Sequence, residues 1–183
     1  KYFLKKIRIP LLGIHNVRNS VAAAAVALTV GISQINIKKG LINFKGVQRR
    51  FNKIFSFKGI DFYDDYAHHP TEIKVVLEGV NKVFKNFTKV CIFQPHRVSR
   101  LKYLRKEFSF AFRDSDIVIL CPIYTAGEKI RLGFNYLNFA KEIIKNSKVK
   151  LFLVKDNIQL SKFLKKNMYG KKIVIGMGAG SIS

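Results

Sequence analysis

From about Asp61 onward, short runs of β-branched residues alternate with segments whose apolar positions recur every three or four residues. This alternation leaves few architectures open: strands and amphipathic helices in turn build βα units around a largely parallel sheet. The clearest helix follows His69-Pro70. Ile73, Val76, Leu77, Val80 and Phe84 keep helical register, Pro70 suits a first turn, and Glu72 stands where the helix dipole favours a carboxylate. The rhythm predicts a strand over 89–94, a helix from about Arg100 with Leu101, Leu104, Phe108 and Phe112 in register, and a strand over 116–121. A helix near 135–146, a strand over 149–154, a helix near 158–165 and a strand over 172–176 complete the series. Residues 54–63, with Lys58-Gly59 at their middle, read as a hairpin feeding the first parallel strand.

The beginning of the chain is patterned differently. Residues 17–30 read as one alanine-rich helix, followed by turn-like and β-prone residues up to Phe44. That is too little for a domain of its own. Residues 1–44 are therefore expected to be the tail of a preceding domain, joined through Lys45-Gly46 to an α/β domain over 45–183.

Composition narrows the partners. Hydrophobic residues make up 48% of the 183 positions, enough for a real core. The formal charge of +23 suggests an anionic partner, but the lysines that supply most of it are spread over every segment instead of forming a stripe that tracks phosphates. A solvated basic surface, with Lys, Ile, Asn and Phe abundant together, is the simpler reading, and no nucleic acid is expected as partner. The apolar run over 21–32 is too short to span a bilayer, so no membrane partner is expected either. Cys91 and Cys121 lie inside apolar runs without metal-site spacing and read as buried thiols of a cytoplasmic protein.

The unusual polar residues fall in four places: DDYAHHP after one strand, QPHRVSR after the next, PIYTAGE after the third and GMGAGS after the last. In an open α/β sheet such loops lie together beyond the carboxyl ends of the strands, where these folds bind ligands. Asp64 to His69 would form one wall of a shared site, with His96, Arg97 and Arg100 on the next and Tyr124 and Glu128 nearby. Plainer roles stand beside these. His69 suits a helix cap, which leaves His68 as the functional candidate. Asp64 and Asp65 are either ordinary strand-end residues or carboxylates for ribose hydroxyls or magnesium-bound water. Arg97 and Arg100, poorly placed for a helix dipole, are more simply explained by a bound anion, whereas Arg49-Arg50 alone fits a surface pair equally well. GMGAGS lacks the following helix and acidic residue of a dinucleotide loop, and neither a Walker loop nor a GxSxG elbow is present. No metal site is expected among these residues.

In order and spacing, GIHNVRNSVAA, FKGVQRRF, DDYAHHPTEI, FQPHRVSR, IYTAGE and GAGSI together resemble the carboxyl-terminal part of the Mur ligases. The resemblance implies a Rossmann-like α/β domain with helices on both faces of a largely parallel sheet, preceded by a helical and β tail of a central ATPase domain. It implies ATP and Mg2+ as cofactors and UDP-N-acetylmuramate and L-alanine as substrates, joined through an acyl phosphate. By the same resemblance His15, Asn16 and Asn19 lie against adenine, Arg50 reaches nucleotide phosphate and Asp65 lies by the ribose. Tyr66, His68, His96, Arg97 and Arg100 would line the amino-acid pocket, the two arginines holding its carboxylate and His68 orienting or deprotonating its amine. FQPHRVSR separates this pattern from that of the ligase that recycles a ready-made tripeptide. That ligase, another Mur ligase or a non-catalytic basic binding domain are the alternatives. The resemblance also implies a fragment without its ATP loop, inactive alone.

Overall fold

The computed structural model describes residues 7–11, 13–128 and 134–182. The chain divides into two compact units, Lys1–Gln48 and Arg49–Ser183.

The first unit holds two helices, α1 (Ile14–Thr29) and α2 (Gln34–Asn43). Gly13 precedes α1 with φ 94°, and a Cβ there would come within 2.6 Å of the His15 ring. The β-prone reading of the stretch before Phe44 is corrected by α2. Its isoleucines favour a strand locally, but Ser33 Oγ accepts the Asn36 amide as an N-cap at 3.3 Å and Ile37 is buried. The cap and the packing of this face outweigh a propensity worth only a few tenths of a kcal/mol per residue. An apolar cleft lined by Val17, Val21, Ala24, Leu28 and Leu41 runs between the two helices.

The second unit opens with the expected hairpin, β1 (Asn52–Phe57) and β2 (Ile60–Asp65). Phe57 pairs with Ile60 across a two-residue turn in which Lys58 and Gly59 have φ 48° and 78°. Two positive φ values match the twist of the flanking strands. There follow α3 (Pro70–Val83), β3 (Thr88–Phe93), α4 (Val98–Tyr103), α5 (Arg105–Phe110), β4 (Ile117–Leu120), α6 (Tyr136–Ser147), β5 (Lys150–Leu153), α7 (Asn157–Asn167) and β6 (Lys172–Met177). The single helix expected from Arg100 is two short ones, broken at Leu104, where φ is −109° and ψ 25°. The break still leaves Leu101, Phe108 and Phe112 buried, Phe112 from beyond the end of α5.

The six strands take the order β1-β2-β6-β3-β4-β5, parallel throughout except for β1. On one face Ile73, Leu77, Leu101, Phe108, Phe139 and Ile143, from α3 to α6, close over Phe93, Val118 and Ile175. On the other, Leu160, Phe163 and Leu164 of α7 cover Val90, Ile92, Ile119 and Val174. Strands buried on both sides must be apolar along their length, which explains the unbroken runs of β3, β4 and β6. Because β2, β6, β3 and β4 run the same way, their carboxyl ends share one edge of the sheet.

Candidate functional site

At the end of β2 two aspartates have separate tasks. Asp65 is 2% exposed, and its two carboxylate oxygens accept the amides of Phe51 at 2.8 Å and Ala67 at 2.7 Å. Burial pushes its carboxyl up, while the Ala67 and Phe51 amides pull the other way. The Tyr66 amide donates to the Arg49 carbonyl at 2.7 Å, so the 49–51 turn and the 65–67 turn are laced to each other. In this arrangement both Asp65 oxygens accept backbone amides, which ties the two turns together. Asp64, 7% exposed, lies beside Arg49, whose Nε is 3.4 Å from Asp64 Oδ2, near enough for charge pairing but too skewed for a hydrogen bond. Burial raises the Asp64 carboxyl and Arg49 opposes that rise.

Arg49 itself is a junction that sequence reasoning missed. Its Nη2 donates to the Gly178 carbonyl at 2.6 Å and sits 3.4 Å from that of Gly180, and its guanidinium lies 4.9 Å from the centre of the Tyr66 ring. The pair Arg49-Arg50 therefore divides: Arg49 turns into the domain, whereas Arg50 is exposed, with its amide held by Asn52 Oδ1 at 2.8 Å. A doublet of arginines carries no mark of which faces inward; contacts with Gly178, Asp64 and Tyr66 hold Arg49, in a turn where Arg49 and Phe51 have φ 58° and 52°.

Tyr66 and His68 follow on a loop fixed from below. Glu72 accepts the amides of His68 at 3.0 Å and His69 at 3.1 Å, and His69 Nδ1 accepts that of Thr71 at 3.3 Å. His69 is thus the cap of α3, in a reciprocal box with Glu72. His68 Nδ1 stands 2.9 Å from the Tyr66 carbonyl, a contact that a neutral ring makes by donating, which leaves its Nε2 lone pair free for a proton.

The loop after β3 meets this wall. The rings of Tyr66 and His68 are 5.1 Å apart, those of His68 and His96 5.8 Å, and those of His96 and Tyr124 5.5 Å, forming one row across three loops. Backbone bonds from Tyr124 to Pro95 and from Arg97 to Tyr124, both 2.8 Å, join the second and third loops. Arg100 Nη1 lies 3.3 Å from both His96 Nδ1 and the His96 carbonyl. Burial lowers the pKa of His96, and the neighbouring guanidinium charges of Arg100 and Arg97 lower it further, which favours the neutral ring. The glycines of GMGAGS close the edge by contact. A Cβ on Gly180 would lie 2.6 Å from Gln94 Oε1 and 2.7 Å from Tyr124 Cγ, and Gly178 donates its amide to Asp65. These glycines admit the neighbouring loops.

His68, His96, Arg97, Arg100 and Tyr66 are therefore brought together at one rim. His15, Asn16 and Asn19 lie on the first turns of α1 in the other unit, His15 and Asn19 one turn apart on the same face. Among the described residues no group of three or more His, Cys, Asp or Glu is placed to hold a metal ion. Nor is any described helix long and apolar enough to cross a membrane. Cys91 and Cys121 are buried free thiols, the latter pushed up to about 11 by burial.

A largely parallel α/β sheet whose strand-end loops gather a row of rings beside two guanidinium groups defines a ligand-binding domain of the open-sheet class. Residues 49–180 match the Mur ligase, glutamate ligase domain family, and the chain belongs to the Mur ligases. It is 68% identical over 180 residues to the UDP-N-acetylmuramate–L-alanine ligase of Pelagibacter ubique, covering 98% of this chain and 39% of that protein. The same ligase of Bartonella tribocorum is 39% identical over 183 residues, all of this chain and 38% of the relative. The crystal structure of UDP-N-acetylmuramate–alanine ligase from Thermotoga maritima superposes with TM-score 0.78 at 28% identity, over 96% of this chain and 37% of that one. The chain thus spans about two fifths of the length of the curated relatives it matches.

Proposed function

We propose that this chain is the amino-acid-binding part, with a piece of the ATP-binding part in residues 1–44, of an ATP-dependent ligase that joins L-alanine to the carboxylate of UDP-N-acetylmuramate. The observation that carries the reading is the 68% identity to such a ligase over nearly the whole chain. The site agrees with it chemically. Arg97 and Arg100, on and beside the first turn of α4, supply planar donors suited to an amino acid's carboxylate. His68, its Nδ1 engaged by the Tyr66 carbonyl, keeps Nε2 as acceptor for a proton of the ammonium group, which must be neutral to attack. Tyr66, His96 and Tyr124 wall the pocket and hold the amine to one approach.

ATP with Mg2+, when bound, supplies the phosphoryl group that turns the muramyl carboxylate into an acyl phosphate. Toward that nucleotide this chain offers the side-chain amides of Asn16 and Asn19 with His15 for a base edge, and the exposed guanidinium of Arg50 for phosphate. Both Asp65 oxygens are taken by backbone amides, whereas Asp64 keeps only Oδ2 beside Arg49. On this reading the reaction belongs to peptidoglycan synthesis and runs in the cytoplasm.

The test is phosphate release by a full-length ligase carrying this chain, given UDP-N-acetylmuramate, ATP, magnesium and a panel of amino acids and tripeptides. Selective turnover with L-alanine is expected, and Arg97→Ala should raise the L-alanine KM roughly tenfold or more while leaving nucleotide KM values within twofold. Preference for a ready-made tripeptide would assign the chain to the recycling ligase. No turnover, with salt-sensitive binding of an oligonucleotide, would make it a basic binding domain.

A further inference from the structure

Helix α4 carries Arg100 and begins immediately after Arg97, yet nothing in its own sequence secures its start. Arg97 occupies the N-cap position with φ 70° and makes no side-chain cap, and the first turn contains no acidic residue. The cap comes from 29 residues further along the chain. Glu128 Oε2 accepts the Ser99 amide at 3.0 Å, Glu128 Oε1 accepts the Ser99 hydroxyl at 2.5 Å, and Arg97 Nη1 stands 3.9 Å from Oε1. The Ser99 hydroxyl above all, with the Ser99 amide, holds the Glu128 carboxyl below its ordinary range, so it is ionised at neutral pH. Glu128 sits at the end of a tight turn whose Ala126 and Gly127 both have positive φ, 51° and 85°. The same turn starts at Tyr124 and Thr125, where the backbone bridge to His96 is made.

We propose that Glu128 is a positioning residue for the amino-acid pocket. Its carboxylate fixes the start of α4 and restrains Arg97, so that the guanidinium groups of Arg97 and Arg100 are held where an amino acid's carboxylate meets them. A single carboxylate thereby ties the third strand-end loop to the second, reinforcing the His96–Tyr124 bridge from the side chain. Glu128 does not touch the amino acid; it acts through Ser99 and Arg97. This inference rests on the proposed ligase reading of the site.

The experiment compares Glu128→Ala and Glu128→Gln with the unsubstituted full-length ligase, measuring KM for L-alanine, ATP and UDP-N-acetylmuramate, kcat and thermal unfolding. Glutamine keeps an acceptor for the Ser99 amide but removes the charge beside Arg97, so it separates capping from charge pairing. Expected for Glu128→Ala is a rise of about tenfold in L-alanine KM, with kcat and the other two KM values within about twofold, as for loss of substrate binding alone. Glu128→Gln should fall between alanine and glutamate, which a general loss of folding would not produce. An unchanged L-alanine KM in Glu128→Ala, or a joint rise of all three KM values with a lowered unfolding temperature, overturns the inference while leaving the ligase reading in place. If the unsubstituted enzyme uses no amino acid, the reading of the site falls, and the inference falls with it.

Discussion

Arg49 shows how much one side chain can be asked to hold. It donates to a carbonyl of the final loop, lies over the Tyr66 ring and faces the carboxylate of Asp64, which is almost wholly inside the fold. Removing it strands that carboxylate. A partly buried charge left without its partner costs less than a fully buried one, because the Arg49 side chain is itself 28% exposed and water screens the pair. Arg49→Ala is expected to lower unfolding free energy by ~2 kcal/mol in urea titration at pH 7. The loss should shrink in Asp64→Asn/Arg49→Ala, where no charge is stranded. A single-variant loss no greater than that of an exposed lysine would show that the junction is not structural. Sequence could name Arg49 only as half of a doublet, because its inward turn depends on contacts with Tyr66, Asp64 and Gly178, at separations of up to 129 residues.

Helix α3 is legible in full from the sequence, and α2 and α4 are not; the reason is where their ends are decided. In α3 the cap His69, the proline of the first turn, Glu72 and the apolar stripe all lie within one short segment. The start of α4 is set by Glu128, and α2 is stabilised by packing of a face whose isoleucines suit a strand equally well. The Glu72 box also has a measurable pH signature. Burial pushes the Glu72 carboxyl up, but the amides of His68 and His69, with the nearby charge of Arg50, outweigh it and the net shift is downward. A carboxyl whose folded value is depressed stabilises the fold above its unfolded value, near 4.5, and that contribution disappears as pH falls through the folded one. Glu72→Gln should therefore be less stable by ~0.5–1 kcal/mol at pH 7, a figure kept low because the side chain is partly exposed. In denaturant titrations the difference from the unsubstituted chain should narrow steadily below about pH 4.5. A gap of constant size down to pH 3 would show that the carboxylate is not what the loop depends on.

Over the whole sheet the parallel order explains why residues scattered from Asp64 to Gly180 meet, since four strands that end at one edge deliver their loops there whatever the sequence distance between them. Topology of this kind is readable from the alternation of strand and helix patterns. The side on which each aspartate or arginine finally faces is not, because it depends on the parity and local φ of a few loop residues. Charge is the remaining global property. A surplus of 23 positive charges on 183 residues repels itself, and the acidic residues are too few to neutralise it. The ion pairs that do form include exposed ones such as Lys82 with Glu78, worth little in water. Repulsion among the lysines should therefore outweigh attraction between pairs, and screening should help the fold. The unfolding temperature is expected to rise by a few degrees as NaCl is increased from about 0.01 to 0.3 M, over which the screening length shortens from roughly 30 to 6 Å. A chain held together chiefly by surface ion pairs would show the opposite slope. A fall in unfolding temperature over this range would mean that the lysines are neutralised locally and that self-repulsion is not the dominant long-range term.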